Sequence, residues 1–130
     1  MSIIENKELV RQYLDAINKK PKTFEVLQQY LTDQPLIEHI IYFESAFPLY
    51  WLEVEEMIAE GDLISLRIRL RGIHQGDFMG IPPTGKEIDV PGFLTYRIVG
   101  SKIADHWMMV DNTVLLQQLG VSQPQAQPTQ

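Results

Sequence analysis

A chain of 130 residues with 45% hydrophobic and 22% charged side chains is long enough for one domain with a buried core. Its 17 acidic residues against 11 Lys and Arg give a formal charge of -6, which opposes binding to phosphate backbones or anionic bilayers and excludes nucleic acid and membranes as expected partners. The absence of cysteine removes disulfides, thiolate nucleophiles and cysteine-held metals, and a charged N-terminus with no long apolar run predicts a cytoplasmic protein.

In chain order, residues 2–18 predict an amphipathic helix, because Ile3, Val10, Tyr13, Leu14 and Ile17 recur at helical spacing and Ser2 with Glu5 offers a capping box. Asn18-Lys19-Lys20-Pro21 ends it. A second helix is expected from about Thr23 to Leu31, capped by Thr23, with Phe24, Leu27 and Leu31 on one face. Asp33-Gln34-Pro35 breaks that pattern, and Leu36 to Leu49 reads either as a short helix or as a strand followed by a helix that stops before Pro48.

Beyond this the hydrophobic period changes to two. Leu52 and Val54 alternate with Glu53 and Glu55, and Ile64, Leu66, Ile68 and Leu70 alternate with Ser65, Arg67, Arg69 and Arg71, across a hairpin turn at Glu60-Gly61-Asp62. Gly72 to Gly85 is rich in turn residues. Lys86 to Ile98 then predicts a strand whose Ile88, Val90, Leu94, Tyr96 and Ile98 share a face, with a bulge or bend at Gly92. Lys102 to Val110 is the last strand, Asp111 caps a short helix over 113–119, and Gly120 stops it. Residues 1–121 read as one domain and the Pro- and Gln-rich residues 122–130 as a disordered tail. Helices first and about four antiparallel strands afterwards define an α+β class, and a twisted sheet curling over its helices encloses an interior pocket.

Several stretches together resemble the SnoaL-like polyketide cyclase (ester cyclase) family. They are Ala59-Glu60-Gly61-Asp62, the Arg-Gly-Ile-His run at 71–74, Gly76-Asp77-Phe78-Met79-Gly80-Ile81-Pro82-Pro83-Thr84-Gly85-Lys86, Lys102-Ile103-Ala104-Asp105-His106-Trp107 and Leu115-Leu116-Gln117-Gln118-Leu119-Gly120. The resemblance spans Asn6 to Gly120. It implies the nuclear-transport-factor-2-like fold, also called a cystatin-like α+β barrel, in which a cone-shaped, curved antiparallel sheet packs against N-terminal helices. It also implies a cofactor-free cyclase that closes a ring by intramolecular aldol condensation. Two departures stand out: the segment between His39 and Ala46-Phe47-Pro48 is shorter than is usual in the family, and Met108 stands where members often carry an acid.

Aldol closure needs a base for the proton beside a carbonyl and a donor for the developing oxyanion. Histidine titrates near working pH, and the three present, His39, His74 and His106, each fall where members of the family often have one. Strand alternation puts Ala104, His106 and Met108 on one face and Asp105 and Trp107 on the other. His106 is therefore the first catalytic candidate, Asp105 replaces it if the register is reversed, and His74 either assists or fixes the Pro-Pro loop. His39 lines the pocket mouth or forms a surface pair with Glu38. Tyr13, Met108, Trp107 and Phe93 are expected ligand contacts, within an aromatic set that also holds Phe24, Phe43, Tyr50, Trp51, Phe78 and Tyr96.

No histidine pair has ligand spacing, so no metal is expected. Asp111 reads as a helix cap, and Arg67, Arg69 and Arg71 as a stripe neutralised by Glu53, Glu55, Glu87 and Asp89. Apolar residues on both parities of the last strand predict an outer sheet face covered by a second copy, a homodimer. The expected function is acid–base chemistry on a small apolar carbonyl compound; the alternative is a non-catalytic small-molecule binder on the same scaffold.

Overall fold

The computed structural model describes residues 2–121, so the expected tail at 122–130 lies outside the described residues. Helix α1 (Ile3–Ile17) starts on the capping box: the Glu5 N–H donates to Ser2 Oγ at 3.1 Å and the Ser2 N–H to Glu5 Oε1 at 2.8 Å. Its stripe of Val10, Tyr13, Leu14 and Ile17 is buried, each large apolar side chain contributing about 1.5–3 kcal/mol relative to exposure.

Helix α2 (Phe24–Leu27) is capped by Thr23 but is shorter than the expected run to Leu31, and Phe24 is exposed. The chain leaves the helix because backbone groups find partners elsewhere. The Thr32 N–H donates to Ile103 O at 2.9 Å, and the Ile103 N–H to Tyr30 O at 2.8 Å. The segment thereby covers an edge of the sheet. Helix α3 (Gln34–Ala46) settles the ambiguous segment as helix. Asp33 caps it, Pro35 sits in its first turn where no N–H is needed, and Leu36, Ile37, Ile40, Phe43 and Ala46 face inward.

Strands β1 (Trp51–Glu60), β2 (Leu63–Ile73), β3 (Glu87–Val99) and β4 (Lys102–Val110) form one antiparallel sheet in chain order, and helix α4 (Asn112–Gln118), capped by Asp111, closes the end. Helices on one side of a curved antiparallel sheet make this the nuclear-transport-factor-2-like α+β fold. Register shifts fall between Val54 and Glu56 and between Arg97 and Ile98. Gly92 is not a bulge, since its pairing is unbroken on both sides, and it permits a close approach, because a Cβ there would meet Val110 Cγ1 at 2.7 Å and Met109 O at 2.8 Å. The second shift leaves Ala104 as an extra residue, so that Ile103 and His106 both turn toward the helices.

Ile64, Leu66, Ile68, Leu70, Ile88, Val90, Leu94 and Tyr96 cover the inner face. On the outer face Arg67 pairs with Glu55 and Glu56, Arg69 with Asp89, and Arg71 with Glu53, so the stripe is neutralised within the chain. Among the described residues no helix is long and apolar enough to cross a membrane.

Candidate active site

The concave side of the sheet and helices α1, α3 and α4 leave a cavity of about 380 Å³. Its wall is aromatic and aliphatic, from Tyr13, Phe43, Tyr50, Phe78, Leu94 and Tyr96 among others, and among the described residues no Asp, Glu, Lys or Arg lines it. Its exposed lining residues are His39 and Tyr42 on α3, Met79 on the loop after β2, and Asn112 at the start of α4; these form the mouth. A wall of this composition suits a neutral, apolar molecule better than a charged one, for which it has no ion-pair partner.

The roof depends on the loop between β2 and β3. The Gln75 and Gly76 N–H groups both donate to Ala46 O at 3.0 Å, tying the loop to the end of α3. His74 is fully buried, stacked on Phe47, and its Nδ1 accepts from the Thr84 N–H at 3.2 Å with Thr84 Oγ1 2.9 Å away. The Met79 N–H donates to the Tyr42 hydroxyl at 2.7 Å. These bonds carry Phe78 and Met79 over the cavity, and they place His74 at the base of the loop rather than in the wall.

Three phenols define the polar character of the interior. Burial pushes the pKa values of Tyr13, Tyr50 and Tyr96 well above the usual tyrosine range, so all three keep their protons. Tyr13 and Tyr96 meet edge to face with ring centres 6.0 Å apart. Behind Tyr50, the buried Lys22 ammonium lies 4.2 Å from the ring centre and 3.1 Å from Glu44 Oε1, and burial lowers its pKa.

His106 projects from the inner face of β4, opposite Tyr96 and two residues before Met108, both of which line the cavity. It stands beside the wall rather than in it, with Nδ1 2.6 Å from Oδ2 of the buried Asp33. His39 lines the mouth and stacks on Phe43, and partial burial with the nearby His106 lowers its pKa.

Of the residues expected at the site, Tyr13, His39 and Met108 line the cavity and His106 borders it. Asp105, Trp107 and Phe93 do not reach it. They have the opposite strand parity and stand exposed on the outer face, where Trp107 lies under Arg97 and Asp105 Oδ1 accepts the His106 N–H at 2.9 Å. Sequence reasoning passed over Asp33, Tyr42 and Asn112. An Asp two residues before Pro35 is a helix-start signal that could have placed Asp33 at the head of α3. Among the described residues no cluster of three or more His, Asp or Glu is arranged to hold a metal.

A family model for SnoaL-like polyketide cyclases matches residues 36–119. The chain belongs to the SnoaL-like polyketide cyclase family. Among solved structures it is similar to AclR from Streptomyces galilaeus, described as "a putative hydroxylase", with 28% identity, a TM-score of 0.77 and coverage of 92% of this chain and 98% of that one. TsrD from Streptomyces laurentii is 22% identical with a TM-score of 0.78, covering 92% and 98%. A SnoaL-like polyketide cyclase from Agrobacterium tumefaciens is 18% identical with a TM-score of 0.73, covering 92% and 100%. The last two likenesses concern the fold alone. No curated protein matches the chain.

Proposed function

We propose that this SnoaL-like protein is a cytoplasmic, cofactor-free enzyme that performs acid–base chemistry, such as intramolecular aldol closure, on a small apolar carbonyl compound held in the cavity. The observation that carries the reading is the wall itself: aromatic, without formal charge, and furnished with protonated phenols. Phe43, Tyr50 and Phe78 would hold a flexible carbonyl chain folded, bringing the carbon nucleophile against the carbonyl it attacks. His106, bordering the cavity beside Tyr96 and Met108, takes the proton from the carbon next to one carbonyl of a compound seated at that edge; the new carbon–carbon bond forms as the π pair of the other carbonyl moves onto its oxygen, and the imidazolium then gives its proton to that oxygen. A hydrogen bond from a phenol of the cavity wall stabilises that oxyanion until it is protonated.

Hydrogen–deuterium exchange at the carbon beside the carbonyl tests this without knowledge of the natural substrate. With a small aryl β-diketone in D₂O, the wild type should accelerate exchange, and His106→Gln should lose about 10²-fold or more of that acceleration while still binding the probe. Equal binding by both proteins with no acceleration by either rejects the enzyme. The second reading, a binding protein, is favoured by Met108, whose apolar side chain lines the wall and leaves the cavity without a carboxylate. AclR's description as a hydroxylase also leaves the reaction open within this fold.

We also infer a homodimer through the outer face of the sheet. Ile58, Phe93, Trp107 and Met109 are exposed there, and the arginines around them are balanced within the chain, so two copies can meet without repulsion.

A further inference from the structure

We infer that Asp33 is a positioning residue that holds the His106 imidazole as its Nδ1–H tautomer and so leaves Nε2 as the free acceptor of the ring. Two observations carry the inference. Asp33 Oδ1 accepts the Leu36 N–H at 3.1 Å, which fixes the carboxylate rotamer, and Oδ2 lies 2.6 Å from His106 Nδ1. An ionised carboxylate has no hydrogen to give, so the ring nitrogen must donate. A neutral imidazole has one N–H, and once that is spent on Asp33 the other nitrogen carries a bare lone pair.

The pairing is built by the backbone on both sides. The chain just before Asp33 is tied to β4 through the Thr32–Ile103 and Ile103–Tyr30 hydrogen bonds. The extra residue Ala104 then turns His106 toward the same side. Asp33 thus does two jobs with its two oxygens, capping α3 with one and orienting the ring with the other. The catalytic consequence rests on the reading of His106 as the base, whereas the tautomer does not.

The test is a long-range ¹H–¹⁵N correlation spectrum of the histidine rings at pH 8, with the His106 signals assigned by their loss in His106→Gln. In the wild type, His106 Nδ1 should resonate as a protonated, pyrrole-like nitrogen and Nε2 as a pyridine-like one. Asp33→Asn retains a good helix cap but its side-chain amide both donates and accepts, so the pattern should shift toward the Nε2–H form. Exchange at the probe carbon should then fall by about 10²-fold or more with probe affinity little changed, the signature of a mis-set base. A wild-type His106 protonated at Nε2, or a D33N protein with an unaltered spectrum, overturns the inference. A shifted tautomer in a protein whose exchange rate does not change leaves the positioning role standing and removes His106 as the base. The wild-type spectrum decides the tautomer even if D33N fails to fold.

Discussion

Tyr13, Tyr50 and Tyr96 are held in one wall, and withdrawal from water penalises their phenolate forms. Their raised values mean that the stability they confer is complete below tyrosine's ordinary value of 10.0, and is lost as pH rises beyond it, because the unfolded chain sheds protons that the fold retains. In an alkaline titration followed at 295 nm, these three should therefore ionise only together with the loss of the far-ultraviolet circular dichroism signal. A phenolate signal from any of them in the folded protein would show that the wall is open to water. At this scale the inward direction of Tyr13 and Met108 was legible from helical spacing and strand parity, whereas His39 stayed between mouth and surface because its segment read equally as helix or strand. Asp33 was not: its partner lies 73 residues away, and the contact needs the bulge in β4, which no local pattern announces. Phe93 and Trp107 misled because aromatic character suggests a lining while parity turns them outward.

Elements meet at two glycines whose missing side chains the packing requires. A Cβ on Gly76 would run into the carbonyl oxygen of Ser45, and that oxygen belongs to backbone that cannot rotate away. Gly76→Ala should push the β2–β3 loop off the end of α3, costing about 1–3 kcal/mol in urea denaturation and weakening apolar-probe binding, since Phe78 and Met79 ride on that loop. Unchanged stability and binding would show that the roof does not depend on this approach. Alternation made the hairpins readable almost to the residue. The end of α2 was not readable, because Leu31 has helical spacing but joins β4 in an isolated bridge, a tertiary demand that outweighs propensity. Gly92 illustrates the same limit: the sequence suggests a bulge or bend there, whereas the unbroken register excludes the bulge and the distance to Val110 reveals a close approach.

For the molecule as a whole, the convex face offers hydrophobic area to a second copy. Trp107→Glu should convert the proposed dimer to monomer in multi-angle light scattering, with the circular dichroism spectrum retained because the side chain is half-exposed in the protomer. A wild type that is monomeric at micromolar concentration removes the dimer. The α+β layering was legible from the order of the elements, but the volume of the hollow was not, because it depends on how far the sheet curls and on where the loop crosses the end of α3.

Tyr13, Ile17, Phe43, Ile68, Leu94 and Tyr96 belong at once to the cavity wall and to the hydrophobic core. Evolution of a new ligand preference deep in this chamber must therefore draw on the same side chains that keep the chain folded. Variation there is constrained twice over; at the mouth the exposed His39, Met79 and Asn112 can vary with less loss of packing, whereas Tyr42 also holds the roof loop by accepting the Met79 N–H.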